Sequence, residues 1–257
     1  DALASWNGPR DEVLVATKTG YRRTMEVPAF VAPVSDSPES DTQGRDSEGC
    51  SRRPGEERQH LQAAGSQYGW MADSRPETMI RDAKESALHL GVDTLDLLYS
   101  HGPDPAVPYE DQCGALKQLL DEGVIKYAGI SRVNNEQIDL ARGIIGSGLV
   151  AVQNQFSPSH PDPEHTMEHC AELGLAFVCW SPLGGFLDTF DQSAYDPFRT
   201  VAAQRGCSYQ RVVLAWELTR YERLFTIPSA RNPQEINDSF AATQLQLTQE
   251  ELAMLPC

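Results

Sequence analysis

The sequence predicts an α/β protein built on a parallel sheet, and three observations carry that reading. Short apolar segments of strand character alternate with amphipathic segments at helical spacing along most of the chain. The stretches between strands are long enough for crossover helices and too long for hairpin turns. The strands are strongly apolar, as strands with helices over their faces must be.

Glu12 to Lys18, EVLVATK, is the first strand, closed by Lys18 and followed by Thr19 and Gly20. Residues 33–69 are rich in Ser, Asp, Glu, Gly, Pro, Arg and Gln and show neither period. They read as a disordered excursion, far longer than a usual βα connection, of a kind that sometimes forms a lid. Ser74 with Glu77 spells a capping box before Met79, Ile80, Ala83, Ala87 and Leu90 at helical spacing, and Gly91 is the stop.

The segment on which the rest hangs is Thr94 to Pro105, TLDLLYSHGPDP. Alternation puts Leu95, Leu97 and Tyr99 on one face and Asp96, Leu98 and Ser100 on the other. Gly102, Pro103 and Pro105 then end the strand at His101. A helix over about 110–122 follows, with Leu116, Leu119 and Leu120 inward and Gly123 as its stop. Ile125 to Ser131, IKYAGIS, is a buried strand running into Arg132. Asn134 with Gln137 caps a helix to about Ile144, and Leu149 to Asn154 is a strand ending in Gln153-Asn154.

Asp162-Pro163 opens a helix that Gly174 ends, and Leu175 to Trp180 is a strand leading into SPLGG. Helices over about 195–205 and 208–219 precede the strand Leu224 to Ile227. After a loop from Pro228 to Arg231 come a short helix, Pro233 to Ala241, and a last one capped by Thr248 and Glu251. These are six βα units in one domain spanning 1–257. A closed (β/α)8 barrel is the natural end point of this alternation, but six strands are two short of it, and an open six-stranded sheet would expose two apolar edges.

Composition narrows the function. A chain of 257 residues, 40% of them hydrophobic, builds a substantial core. No apolar run reaches the roughly 20 residues of a membrane span, and DALASWNGPRDE lacks the regions of a signal peptide, so the expectation is a cytosolic protein. The chain begins with Asp1, as a processed protein or a piece of a longer one does. A net charge of −16 opposes nucleic acid as a partner. The six cysteines show no CxxC pairing and read as reduced thiols.

Ligands of parallel α/β proteins bind at the carboxyl ends of the strands. Lys18, His101, Ser131, Gln153 and Trp180 all close strands or follow them at once. Each has a bland alternative: a surface lysine, a satisfied loop histidine, a tryptophan packing the sheet edge. Gly146, Gly148 and Ala151 spell a nominal dinucleotide fingerprint, but it leaves a helix and enters a strand, the reverse of a phosphate-binding turn. His165 and His169, one helical turn apart, read as solvated and not as a metal site.

Taken in order and spacing, DEVLVATK, LGVDTLDLLYSHGPDP, LLDEGVIKYAGIS, AVQNQFS, FVCWSPLGG and IPSARNPQEI resemble the aldo-keto reductases. The resemblance runs from about Arg10 to the C-terminus, outside 33–69. It implies a (β/α)8 barrel that uses NADP(H) to reduce an aldehyde or ketone, with this small-molecule carbonyl as partner and oligomeric state left open.

It also implies roles. Lys18 matches the active-site lysine that lowers a catalytic tyrosine's pKa, and His101 matches the histidine that orients the substrate carbonyl. Ser131, Gln153 and Asn154 match residues holding the nicotinamide carboxamide, with Arg132 where many members have asparagine. Trp180 matches the aromatic that stacks on the nicotinamide. Ser181, Leu183 and Gly184 lie where the pyrophosphate is wrapped. Arg231 matches the cation for the adenosine 2′-phosphate, hence NADP over NAD, and Gln234 and Asp238 fall on the adenosine side.

One departure stands out. The resemblance puts a catalytic tyrosine and aspartate ahead of the lysine strand, where eleven residues precede Glu12 and none is tyrosine. A cofactor-binding protein without turnover is therefore the alternative to an enzyme, with a product that never folds stably as a minor third.

Overall fold

A computed structural model describes residue 5 and residues 7–23, 70–162, 164–185 and 191–256. The excursion expected over 33–69 lies outside the described residues, as do Cys50, Pro163 and Cys257. The strands are β1 (Ala16–Thr19), β2 (Tyr21–Arg23), β3 (Trp70–Ala72), β4 (Leu95–Ser100), β5 (Ile125–Ser131), β6 (Leu149–Gln155), β7 (Ala176–Trp180) and β8 (Leu224–Thr226). The helices are α1 (Pro76–Leu90), α2 (Tyr109–Asp121), α3 (Asn135–Ile145), α4 (Thr166–Leu173), α5 (Asp196–Arg205), α6 (Tyr209–Leu218), α7 (Pro233–Ala241) and α8 (Gln249–Met254).

The chain divides into two units, Asp1–Gly20 with Asp73–Cys257, and Tyr21–Ala72. In the second, β2 and β3 pair antiparallel with Tyr21 opposite Ala72. This pairing was not legible in the sequence, because strands of three residues carry too few positions to show a period. The first unit holds a six-stranded sheet in the order β1-β4-β5-β6-β7-β8, every neighbouring pair parallel, with helices in the crossovers.

The core lies between this sheet and its helices. Leu98, Ile130, Val152 and Phe177 from the strands pack in one cluster with Met79, Leu116, Ile138, Phe198 and Val212 from the helices. Each such side chain contributes about 1.5–3 kcal/mol on burial. The opposite sheet face carries a smaller cluster, Leu97, Tyr99, Ala151 and Val178, drawn from strands alone. There Tyr99 is paired with Gly129, and a Cβ at that glycine would overlap the Tyr99 ring, so the ring lies across β5 only because the side chain is missing.

Several expected boundaries move, each for a local reason. The first strand begins at Ala16, because Arg10–Glu12 forms a 3-10 turn. From that turn Arg10 reaches Asp96 at 2.7 Å, and the Val15 N–H donates to the same carboxylate at 2.9 Å. The helix expected from Ser74 starts at Pro76 with no side-chain cap, since the Ser74 hydroxyl donates to the Gly20 carbonyl at 3.3 Å and proline holds the first helical position. The helix expected from Asp162 starts at Thr166, because His165 takes a left-handed φ of 53° that a helix cannot include; Asp162 instead accepts the Met167 N–H at 2.9 Å.

Elsewhere the signals hold. Both reciprocal capping boxes, Asn134 with Gln137 and Thr248 with Glu251, form. Cys113, Cys170, Cys179 and Cys207 are free thiols. No helix of the described residues is long and apolar enough to cross a membrane.

Asp96 ties the start of the chain to the sheet. Its side chain is 9% exposed and also accepts from Lys126 at 2.6 Å. Burial pushes its pKa up, but Lys126, the Val15 N–H and Arg10 more than reverse this and hold it at about 2. The folded form therefore binds the proton less readily than the unfolded chain, so this stabilisation is complete above about pH 4 and is lost as pH falls towards 2. Asp96→Asn should cost about 1–2 kcal/mol in urea unfolding at pH 7 and much less at pH 3.

Candidate active site

Parallel pairing in register lines the strand ends up along one edge. Lys18 pairs with Tyr99, Ser100 with Ile130, Ser131 with Gln153 and Gln155 with Trp180. His101 follows Ser100 directly, and its N–H donates to the Thr19 carbonyl at 2.9 Å, extending the β1–β4 pairing by one residue.

The lysine crosses the sheet. Its ammonium Nζ donates to Gln153 Oε1, although β4 and β5 lie between their strands. Only a long side chain running over the face that carries Tyr99 can span that gap. Tyr99 is itself hydrogen-bonded to the Gln153 side chain, so Lys18, Tyr99 and Gln153 form one polar group.

Burial sets the charge states here. Burial, and then repulsion from Arg132, lowers the Lys18 pKa to about 8. Burial lowers the His101 pKa to about 4, with Lys18 and Arg132 adding to the shift. Burial raises the Tyr99 pKa to about 12 against the bond to Gln153. At neutral pH the edge thus presents an ammonium, a guanidinium and a neutral imidazole.

The neighbouring residues are more constrained than the sequence suggested. Ser131 is buried and its hydroxyl donates to the Gln153 carbonyl at 2.6 Å. Arg132 adopts a left-handed φ of 58°, which turns its guanidinium over the Trp180 ring, 5.2 Å from the centroid. Trp180 Nε1 is buried and, among the described residues, has no hydrogen-bond partner. Asn154 departs from expectation. Its Nδ2 donates to the Val133 carbonyl at 2.7 Å and its Oδ1 accepts the Val133 N–H at 3.2 Å, so it organises a loop, because strand alternation points it away from Gln153.

After β7 the SPLGG segment makes a tight turn. The Gly184 N–H donates to the Ser181 carbonyl at 2.8 Å, and Ser181 and Gly184 take φ of 49° and 72°. Leu183 packs against Leu214 and Ala242. Beyond β8, Arg231 and Gln234 are exposed, and Arg231 is paired with Glu235. Asp238 is engaged within the fold: it pairs with Ser208 and accepts from Arg211 Nε at 3.0 Å, tying α7 to α6.

Sequence reasoning missed two residues. Tyr99 was already on the same strand face as Leu97, and Glu235 stands four residues after Arg231, so both spacings held the signal.

Because Arg132 repels the charged lysine, removing it favours the protonated form. Arg132→Ala should raise the Lys18 titration midpoint above about 8, read from its 13Cε resonance, and should raise that of His101 as well.

The chain is similar to known proteins. The model of the Aldo/keto reductase family matches residues 1–256. Pyridoxine 4-dehydrogenase of Escherichia coli (strain K12) is 28% identical over 198 residues, which cover 74% of this chain and 67% of that protein. A thermostable aldo-keto reductase solved with the inhibitor epalrestat superposes with a TM-score of 0.64 at 23% identity, covering 70% of this chain and 65% of that one. The Bombyx mori aldo-keto reductase, solved in complex with NADP, gives 0.59 at 25% identity, covering 70% and 62%. The chain thus spans about three fifths to two thirds of these relatives' lengths. It belongs to the aldo-keto reductase family, oxidoreductases on a (β/α)8 barrel, whose alternation of parallel strands and helices its six-stranded sheet follows.

Proposed function

We propose that this protein passes a hydride between NADP(H) and the carbonyl carbon of an aldehyde or ketone at the carboxyl edge of the sheet. The observation that carries the reading is the meeting of Lys18, Tyr99 and Gln153 in one polar group, with Arg132 disfavouring protonation of both Lys18 and His101.

The residues present fit a dinucleotide. Trp180 offers an aromatic ring whose buried Nε1 has no acceptor among the described residues, and the tight Ser181–Gly184 turn follows it directly. In this reading Ser131 and Gln153 hold the carboxamide, Ser181, Leu183 and Gly184 the pyrophosphate, and Arg231 and Gln234 the adenosine half. The bound cofactor supplies the hydride. Complexes with NADP in the family, as in the Bombyx mori protein, support the choice.

Each protein group has a task that its environment suits. His101, neutral at physiological pH, donates an N–H to the carbonyl oxygen without giving up a charge. Lys18, charged below about pH 8, favours negative charge on that oxygen. Trp180 and the buried strand ends exclude water. In the family that the chain resembles, a tyrosine supplies the proton for the oxygen.

A second reading, dinucleotide binding without turnover, is favoured by one observation. Among the described residues the phenol beside Lys18's partner is Tyr99, and at about 12 its pKa makes it a weaker acid than an ordinary tyrosine.

Titration of NADPH by quenching of tryptophan fluorescence, followed by turnover of 4-nitrobenzaldehyde, separates the readings. The expected result is binding with reduction of the aldehyde. His101→Ala should lower kcat/KM by about 100-fold or more with little change in NADPH affinity. Binding with no hydride transfer selects the second reading, and absence of binding overturns both.

A further inference from the structure

Arg231 and Glu235 face each other at the start of α7. The Arg231 backbone N–H donates to Glu235 Oε2 at 2.8 Å, and its guanidinium donates to Oε1 through Nη2 at 2.9 Å and Nε at 3.2 Å. Asn232 fixes the same carboxylate: its Nδ2 donates to Oε1 at 3.1 Å, while its Oδ1 caps the helix by accepting the Glu235 N–H at 2.9 Å. The carboxylate is therefore held in place, although the Arg231 side chain is 89% exposed.

This arrangement changes what Arg231 can do. A 2′-phosphate arriving at the guanidinium must share it with a carboxylate or displace that carboxylate, and in both cases like charges meet. A 2′-hydroxyl meets the opposite situation, since it brings a donor and Glu235 is an acceptor. In dinucleotide sites an acidic residue takes the ribose 2′-hydroxyl of NAD, and an arginine accommodates the 2′-phosphate of NADP. Here one ion pair contains both.

We infer that Glu235 determines which dinucleotide this protein accepts, taking the adenosine 2′-hydroxyl so that NAD(H) is used alongside NADP(H). The inference rests on the nicotinamide site proposed above and refines its adenosine end. An exposed pair acts through solvent, so the effect is moderate and shrinks with salt.

The test is titration of NADPH, NADH and reduced nicotinamide mononucleotide against the whole chain at low ionic strength, with Glu235→Gln and Arg231→Ala beside the unaltered protein. The expected result is affinities for NADPH and NADH within about tenfold of each other. Glu235→Gln should tighten NADPH by roughly three- to tenfold while weakening NADH. Arg231→Ala should weaken NADPH alone. A preference for NADPH above about 100-fold that Glu235→Gln leaves unchanged overturns the inference. The mononucleotide lacks the adenosine half and so reports the nicotinamide site by itself. If it binds while the NADPH to NADH ratio ignores Glu235, the inference fails and the site stands. If none of the three ligands binds, the site fails and the inference with it.

Discussion

The structure depends on parallel pairing of β1 with β4 and onward to β8 without reversal of direction. Parallel strands start at one edge of a sheet and finish at the other, so residues far apart in sequence arrive side by side if each closes its own strand. Lys18 and Gln153 are 135 positions apart, yet the register brings an ammonium to a side-chain amide. The helices serve this arrangement by covering one sheet face, which leaves the strand-only cluster around Tyr99 as the floor beneath the polar group.

On that floor, burial and like charge act in the same direction. Burial lowers the pKa of both Lys18 and His101, Arg132 disfavours protonation of both, and Lys18 disfavours that of His101. Arg132 adds a permanent charge that cannot be relieved by loss of a proton, so the lysine and histidine yield instead. Its left-handed backbone places that charge over Trp180, a contact that a cation and an electron-rich ring both favour. The chain as a whole carries −16, so the cationic edge is a local feature set against the overall field.

Two other carboxylates show how the same residue type serves different ends. Asp96 is nearly buried and collects two cations and a backbone N–H, so it anchors the 3-10 turn ahead of β1 to the sheet. Asp238 joins α7 to α6 through Arg211 and Ser208. Glu235 sits between these cases, structural in its bonds to Arg231 and Asn232 but exposed enough to meet a ligand.

The sequence alone determined the order of the six strands of the parallel sheet and of the helices between them, the two capping boxes that form and the polar residues at the strand ends. Those features rest on local periodicity and short-range hydrogen bonds, which neighbouring residues carry within themselves. It also determined the family, through motifs whose order survives the long interruption after Lys18. Only the tertiary structure decided that β1 starts at Ala16, since the competing partner for that backbone, Asp96, lies 81 positions from Val15. Only it decided that Ser74 bonds Gly20 in place of capping a helix, that Asn154 turns to Val133 and that Tyr99 joins Gln153. In each case a side chain had several partners within its chemical reach, and the choice fell to whichever one the packed sheet brought nearest.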